Sequence, residues 1–136
     1  GTDGEKMSKS KNNVIDIFLD DKALKKQIMS IKTDSTPMES PKDWSRCNCF
    51  ALYEILANDD QINLMKINYS NGNYGYGHAK QALYELVMTK FSKQRELYSY
   101  YMSNPDEIDK ILAIGAEKAT TVANNVLSRV KSKLGY

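Results

Sequence analysis

The sequence predicts an all-α protein, and three observations predict it. From Ile108 to Val130, apolar residues recur at steps of three and four, which places them on one face of a helix. Asn104-Pro105-Asp106-Glu107 supplies a helix start just ahead of that run, and Gly135 supplies a stop just after it. Little in the chain shows the apolar–polar alternation of a half-buried strand.

The elements follow in order. Residues 1–19 read as a loop and then a short apolar stretch, Val14 to Leu19. Asp20-Asp21 can cap a helix that carries Leu24, Ile28 and Ile31 on one face, with Lys22, Lys25, Lys26 and Lys32 on the others. Thr33 to Asp43, with Pro37 and Pro41, is a connecting loop, and Trp44 anchors its end. A second helix is expected from about Ser45 to Ala57, with Cys49, Leu52, Tyr53 and Leu56 at helical spacing. Asn58-Asp59-Asp60 breaks and recaps the chain, and a third helix carries Ile62, Met65 and Tyr69. Asn71 to Gly77 holds three glycines and two asparagines, the strongest turn signal present. A fourth helix is expected from His78 to about Met102. In the last helix Asn104 is the N-cap, Pro105 the first helical residue and Glu107 the carboxylate of a capping box. Gly115, inside that helix, predicts close approach of another backbone.

Composition excludes more than it assigns. A length of 136 residues fits about one domain, and 41% hydrophobic with 26% charged residues is ordinary for a soluble globular protein. No run approaches a membrane span, and a formal charge of +2 is too small to argue nucleic-acid binding by itself. Cys47 and Cys49 are too close for a structural disulfide, and with His78 as the only histidine they build no metal cluster. They read as free thiols, buried or half-buried, as in a reducing cytoplasm.

The segment that carries chemistry is Lys6-Met7-Ser8-Lys9-Ser10, behind Asp3-Gly4-Glu5. Two amines and two hydroxyls stand in five residues with no apolar periodicity to commit them to a core. Amines on long flexible stems suit a loop that closes over phosphates and reopens for release. An ammonium beside a departing pyrophosphate stabilises the transition state more than the ground state. The same composition also describes an ordinary solvated basic loop.

Letter for letter, the segment matches the KMSKS signature, so the chain resembles the class I aminoacyl-tRNA synthetases. Lys9 to Asp16 is also similar to the loop of the valyl, leucyl and isoleucyl enzymes, but that similarity stops at Asp16. Downstream the chain resembles the bacterial tryptophanyl-tRNA synthetases over essentially its whole length. The matching stretches are Lys25 to Ser35, Gly75-Tyr76-Gly77-His78-Ala79-Lys80, and Ile111 to Ala119. Tyrosyl enzymes are the nearest relatives, but they usually carry a variant loop and an added C-terminal RNA-binding domain.

The resemblance implies that Lys6, Met7, Ser8, Lys9 and Ser10 line the ATP triphosphate. Lys9 would contact the pyrophosphate, and Lys6 would support it. It implies a Rossmann catalytic domain upstream with a HIGH motif and the tryptophan pocket. The KMSKS loop and the end of that domain would occupy 1–19, and 20–136 would be the helical anticodon-binding domain. The last helix, about 105–134, would pack back on the catalytic domain. The expected partners are ATP with Mg²⁺, tryptophan and tRNA(Trp), in a cytoplasmic homodimer. The chain starts at Gly1 beside the motif and is expected to be a C-terminal part, inactive and monomeric alone, with no metal site of its own. The alternative of another class is a stand-alone helical tRNA-binding module with a vestigial loop.

Three further residues are candidates for RNA contact. Lys80 stands in the first turn of a helix, where a cation opposes the macrodipole, so it is either solvated or paired with a phosphate or carboxylate. Tyr74 and Tyr76, on the glycine-rich turn, either stack on splayed bases or pack the turn onto its neighbours.

Overall fold

A computed structural model describes residues 1–135, in which every regular element is helical. Six α-helices occur among the described residues: α1 Asp21–Met29, α2 Asn48–Leu56, α3 Asp59–Asn71, α4 Tyr76–Lys90, α5 Ser92–Ser103 and α6 Pro105–Leu134. Short 3₁₀ turns span Lys9–Lys11 and Trp44–Arg46. The chain divides into two compact units, Gly1–Arg95 and from Glu96 onward.

The first unit is built around α4, which packs against α1 and α2. Asp20 starts α1 by accepting the Ala23 amide at 3.0 Å, and Leu24 and Ile28 form its buried face as predicted, whereas Ile31, expected on the same helix, lies just past its end at Met29 and is buried from there. Each such aliphatic side chain contributes about 1.5–3 kcal/mol on burial. Phe50 and Tyr53 of α2, Met65 and Tyr69 of α3, and Ala79, Leu83 and Val87 of α4 complete the core. Ile15, Ile17 and Leu19, from the stretch after the basic loop, pack against it too. Asn58 begins α3 with a reciprocal pair of bonds to Gln61, at 2.9 and 3.0 Å. Gly72 ends it at φ +74, with the Glu39 carbonyl oxygen only 2.3 Å from where a Cβ would stand, so no other residue fits.

Two helices differ from expectation. The predicted helix from Ser45 is instead a 3₁₀ turn, an extended Cys47 and then α2 from Asn48. Asp43 captures both the amide and the hydroxyl of Ser45, at 3.0 and 2.6 Å, and closes a separate turn. Extension at Cys47 brings its Sγ to 3.3 Å from the buried Tyr69 hydroxyl. Both cysteines are buried free thiols. The second difference is the predicted helix from His78 to Met102, which starts at Tyr76 and breaks at Phe91 (φ −106, ψ 13). Phe91 is partly buried against the core, and no glycine or proline marks the break.

The second unit holds the rest of α5 and α6. Pro105 opens α6 and Gly135 closes it in the left-handed region, bonded to the Lys131 carbonyl. The capping box does not form. Asn104 Nδ2 instead donates to the Tyr100 carbonyl at 2.8 Å, and the Glu107 carboxylate accepts from the Tyr100 hydroxyl at 2.7 Å. Tyr100 therefore takes both partners, joining α5 to α6 through the chain reversal. Gly115 meets no neighbouring heavy atom within 4 Å among the described residues, so the close backbone approach expected there is not present. Ile111, Leu112, Val122, Val126, Leu127 and Val130 stand exposed along α6.

Candidate functional site

The basic loop is short and tied at its base to the helical core. The Thr2 amide donates to the Asn13 carbonyl at 2.9 Å, and the Thr2 carbonyl accepts from Lys32, just past α1, at 2.7 Å. Gly4 lies at φ +86, with Asn48 Oδ1 2.6 Å from its absent Cβ, so the loop crosses the start of α2 only as glycine. Ser8 precedes the 3₁₀ turn, and Asn12, left-handed at φ 52, ends it and sends the chain back underneath. Asn13 then sits beneath the loop, 2% exposed.

The charges of the loop sort into two groups. Lys11 is neutralised by Glu5 at 3.1 Å, and Asp3 is held by Asn13 Nδ2 at 2.7 Å and by the Glu5 amide at 3.0 Å. Those bonds, Asn13 first, pull the Asp3 carboxyl below its ordinary range. Lys6 and Lys9 are exposed and have no side-chain partner among the described residues. The acids of the loop are thus already engaged, and two ammonium groups remain open to an anion. The hydroxyls of Ser8 and Ser10 bond one another at 2.8 Å. Met7 points away from this polar side and borders an apolar hollow of about 190 Å³ formed with Ile15, Ile17, Leu52, Val87 and Phe91.

The other candidates lie elsewhere in the unit. Lys80 Nζ donates to the Met29 carbonyl at 3.1 Å, at the C-terminal end of α1. Its cation, misplaced on its own helix, is well placed on α1, where the dipole and the unpaired carbonyls favour positive charge. Tyr74 and Tyr76 both pack on Tyr69, with ring centroids 5.8 and 6.1 Å away. Burial pushes each phenol up to about 12, and for Tyr76 the hydrogen bond to Asp34 at 2.7 Å adds to it. The outer edge of Tyr76 borders a polar recess of about 150 Å³ with Lys32, Arg46 and Asn48. His78 is spent locally, its Nδ1 accepting the Gly75 amide at 3.3 Å. No group of three or more His, Cys, Asp or Glu side chains among the described residues is arranged to hold a metal ion.

Three positions of consequence carry no signal in the sequence. Asn13 is one. Lys42 is another, only 5% exposed, its ammonium donating to the carbonyls of Pro37, Met38 and Ser40 at 2.8, 3.1 and 3.0 Å. Arg95 is the third. It donates to the carbonyls of Ile17 and Leu19 and to Asp21 Oδ1, and so fastens the stretch behind the loop to α5. Each lacks a local pattern because each has partners set by the turn of a loop or by distant residues.

The helical core thus presents a clasped loop whose two lysines are open to solvent. Residues 1–92 match the family described as tRNA synthetases class I (W and Y), and the chain belongs to that family. Within it, the chain is 44% identical over 135 residues to the tryptophan–tRNA ligase of Campylobacter jejuni (strain RM1221), covering 99% of this chain and 42% of that protein. It is 42% identical to the tryptophan–tRNA ligase of Fusobacterium nucleatum, over 99% of this chain and 41% of that protein. The crystal structure of tryptophanyl-tRNA synthetase from Campylobacter jejuni complexed with ADP and tryptophan superposes with a TM-score of 0.96 at 43% identity, covering all of this chain and 43% of that one. The chain therefore spans about two-fifths of the length of the relatives it matches.

Proposed function

We propose that this chain is the C-terminal part of a tryptophan–tRNA ligase. The full enzyme would activate tryptophan with ATP to tryptophanyl-adenylate and transfer it to tRNA(Trp). The single observation that carries the reading is the loop of 6–10, whose two open ammonium groups stand beside acids that are already bonded. When the tryptophan carboxylate attacks the α-phosphate, the bond to the departing pyrophosphate breaks and negative charge grows on that group. Lys9, supported by Lys6, stabilises the charge, and the Met7 and Ser10 amides with the hydroxyls of Ser8 and Ser10 contribute donors around it. Mg²⁺ would enter with the nucleotide, because Asp3 and Glu5 are committed to Asn13 and Lys11.

Adenine, ribose and tryptophan would be held by a Rossmann domain outside this chain, so the chain alone is inactive. The exposed apolar residues of α6 give that domain a surface to pack on, and segment 1–19 is its continuation into the helical domain. The helical part, 20–136, would face the tRNA anticodon. Among its candidates, the outer edge of Tyr76, with Lys32 and Arg46 around the same recess, suits RNA contact best. Tyr74 and Lys80, the other candidates, are engaged within the unit, by Tyr69 and by the Met29 carbonyl. The full enzyme would be a homodimer and this part a monomer. No helix of the described residues is long and apolar enough to cross a membrane. The full enzyme would work in the cytoplasm.

Lys9→Ala in the full enzyme tests the assignment. Loss of a charge-stabilising donor at the leaving group lowers kcat for tryptophan-dependent ATP–pyrophosphate exchange by about 10²–10³-fold. Tryptophan KM stays nearly constant. A large rise in tryptophan KM with unchanged turnover would refute the role.

A further inference from the structure

The polar side chain buried beneath the loop has no place in the chemistry described so far. Asn13 Oδ1 accepts the Ser8 amide at 2.7 Å, while its Nδ2 donates to Asp3 Oδ1 at 2.7 Å and to the Lys6 carbonyl at 3.2 Å. Its own carbonyl accepts the Thr2 amide at 2.9 Å. One residue thus holds positions 2, 3, 6 and 8 of the loop. The orientation of its amide is fixed by its partners, since a backbone N–H can only donate and a carbonyl can only accept.

The bonds fall where they set the lysines. Ser8 and the Lys6 carbonyl bracket Met7, so Asn13 fixes the backbone on both sides of it. Ser8 is also the residue from which the Lys9–Lys11 turn starts, and its side chain makes no capping bond to that turn. Its amide is held from below by Asn13 instead. A buried amide with three satisfied bonds costs little to keep and much to lose, because removal leaves a donor and two acceptors unpaired.

We propose that Asn13 is a positioning residue for the adenylation step, a clasp that presets the backbone of residues 6–9 so that the Lys6 and Lys9 amines meet the departing pyrophosphate. The proposal rests on the functional reading above. Asn13 touches no substrate and acts through the two lysines. Without the clasp, the loop must order itself at the moment of reaction, and that cost falls on the transition state rather than on tryptophan binding.

The test is a double-mutant cycle in the full enzyme, read as kcat and KM in tryptophan-dependent ATP–pyrophosphate exchange, with circular dichroism as the check on folding. Asn13→Ala removes all three bonds, and Asn13→Asp sets a carboxylate against Asp3 while keeping the acceptor for Ser8. Each is expected to lower kcat by about 100-fold, the scale of a misplacement near 1 Å, with tryptophan KM nearly unmoved. Adding Asp3→Asn to Asn13→Asp removes the carboxylate–carboxylate repulsion and restores one bond across the 2.7 Å contact, while giving up the bond that the same Oδ1 accepts from the Glu5 amide. The pair is expected to recover about tenfold in kcat, as contacting residues do when they couple by about 1.4 kcal/mol.

Asn13→Ala with wild-type kcat, or a double variant no faster than Asn13→Asp, would overturn the proposal. A fall in kcat that merely follows lost helicity in every variant would overturn it too, in favour of a purely structural role. Absence of exchange from the unmodified enzyme is a different failure. It would remove the functional reading first, and the clasp's catalytic role with it.

Discussion

Replacing Lys42 by methionine removes a buried ammonium and keeps its aliphatic stem. The side chain is 5% exposed, and its three N–H groups each end on a carbonyl of the proline loop, at 2.8, 3.0 and 3.1 Å. Hydrogen bonds to a charged group contribute about 1.5–3 kcal/mol each, net of desolvation. The three bonds share one ammonium, and the carbonyls of a surface loop regain water once it is gone, so their sum is an upper bound. A loss of about 2–4 kcal/mol remains. With a urea slope near 2 kcal/mol per molar, the unfolding midpoint should fall by about 1–2 M. Trp44 reports the transition directly. It is the only tryptophan of the chain, its ring 5.4 Å from Phe50 and under the Lys66 ammonium at 4.5 Å. Because the Lys42 amide also donates to the Tyr69 carbonyl at 2.8 Å, methionine leaves the main-chain link intact and isolates the side chain. A loss under about 0.5 kcal/mol, the range of an ordinary surface substitution, would refute the reasoning.

Two further outcomes follow from the same geometry. Arg95→Met frees the carbonyls of Ile17 and Leu19, so amide hydrogen exchange across 14–19 should speed up by at least about tenfold, and Arg95→Lys should not restore it, lacking the planar fork. Burial pushes the Cys49 thiol up to about 12, so folding keeps it protonated where the unfolded chain, near pH 9, has released the proton. The unfolded state then binds fewer protons, and stability should fall between about pH 9 and 12 by up to about 1.4 kcal/mol per pH unit. Cys49→Ser, followed by urea unfolding across that range, should flatten the decline. An unchanged slope would contradict the assignment.

Much of the fold was legible because its signals are local. The apolar faces of α1 and α4 repeat within the reach of one or two turns, and Asn58, Pro105 and Gly135 mark their helix ends by their own chemistry. The loop of 6–10 stood out through its letter-for-letter match to a known signature, since its composition alone also describes an ordinary solvated basic loop. What escaped depends on partners far along the chain. The break falls at Phe91, which packs partly against the core, and the capping box at Asn104 lost to Tyr100. Lys80 gave the right signal, a cation where its own helix disfavours one, but its partner is a carbonyl 51 residues away. Asn13, seven residues from Lys6, sits in a polar stretch where an asparagine attracts no notice. Only the left-handed turn at Asn12 brings it beneath the loop.

The most direct test of the account is amino-acid-dependent ATP–pyrophosphate exchange by the full-length protein, run with each of the twenty amino acids beside the 136-residue chain. The account predicts exchange with tryptophan alone, and none from the chain by itself. Exchange with tyrosine in place of tryptophan would keep the adenylation chemistry and contradict the specificity. No exchange with any amino acid would contradict the central claim and leave a tRNA-binding module with an idle loop.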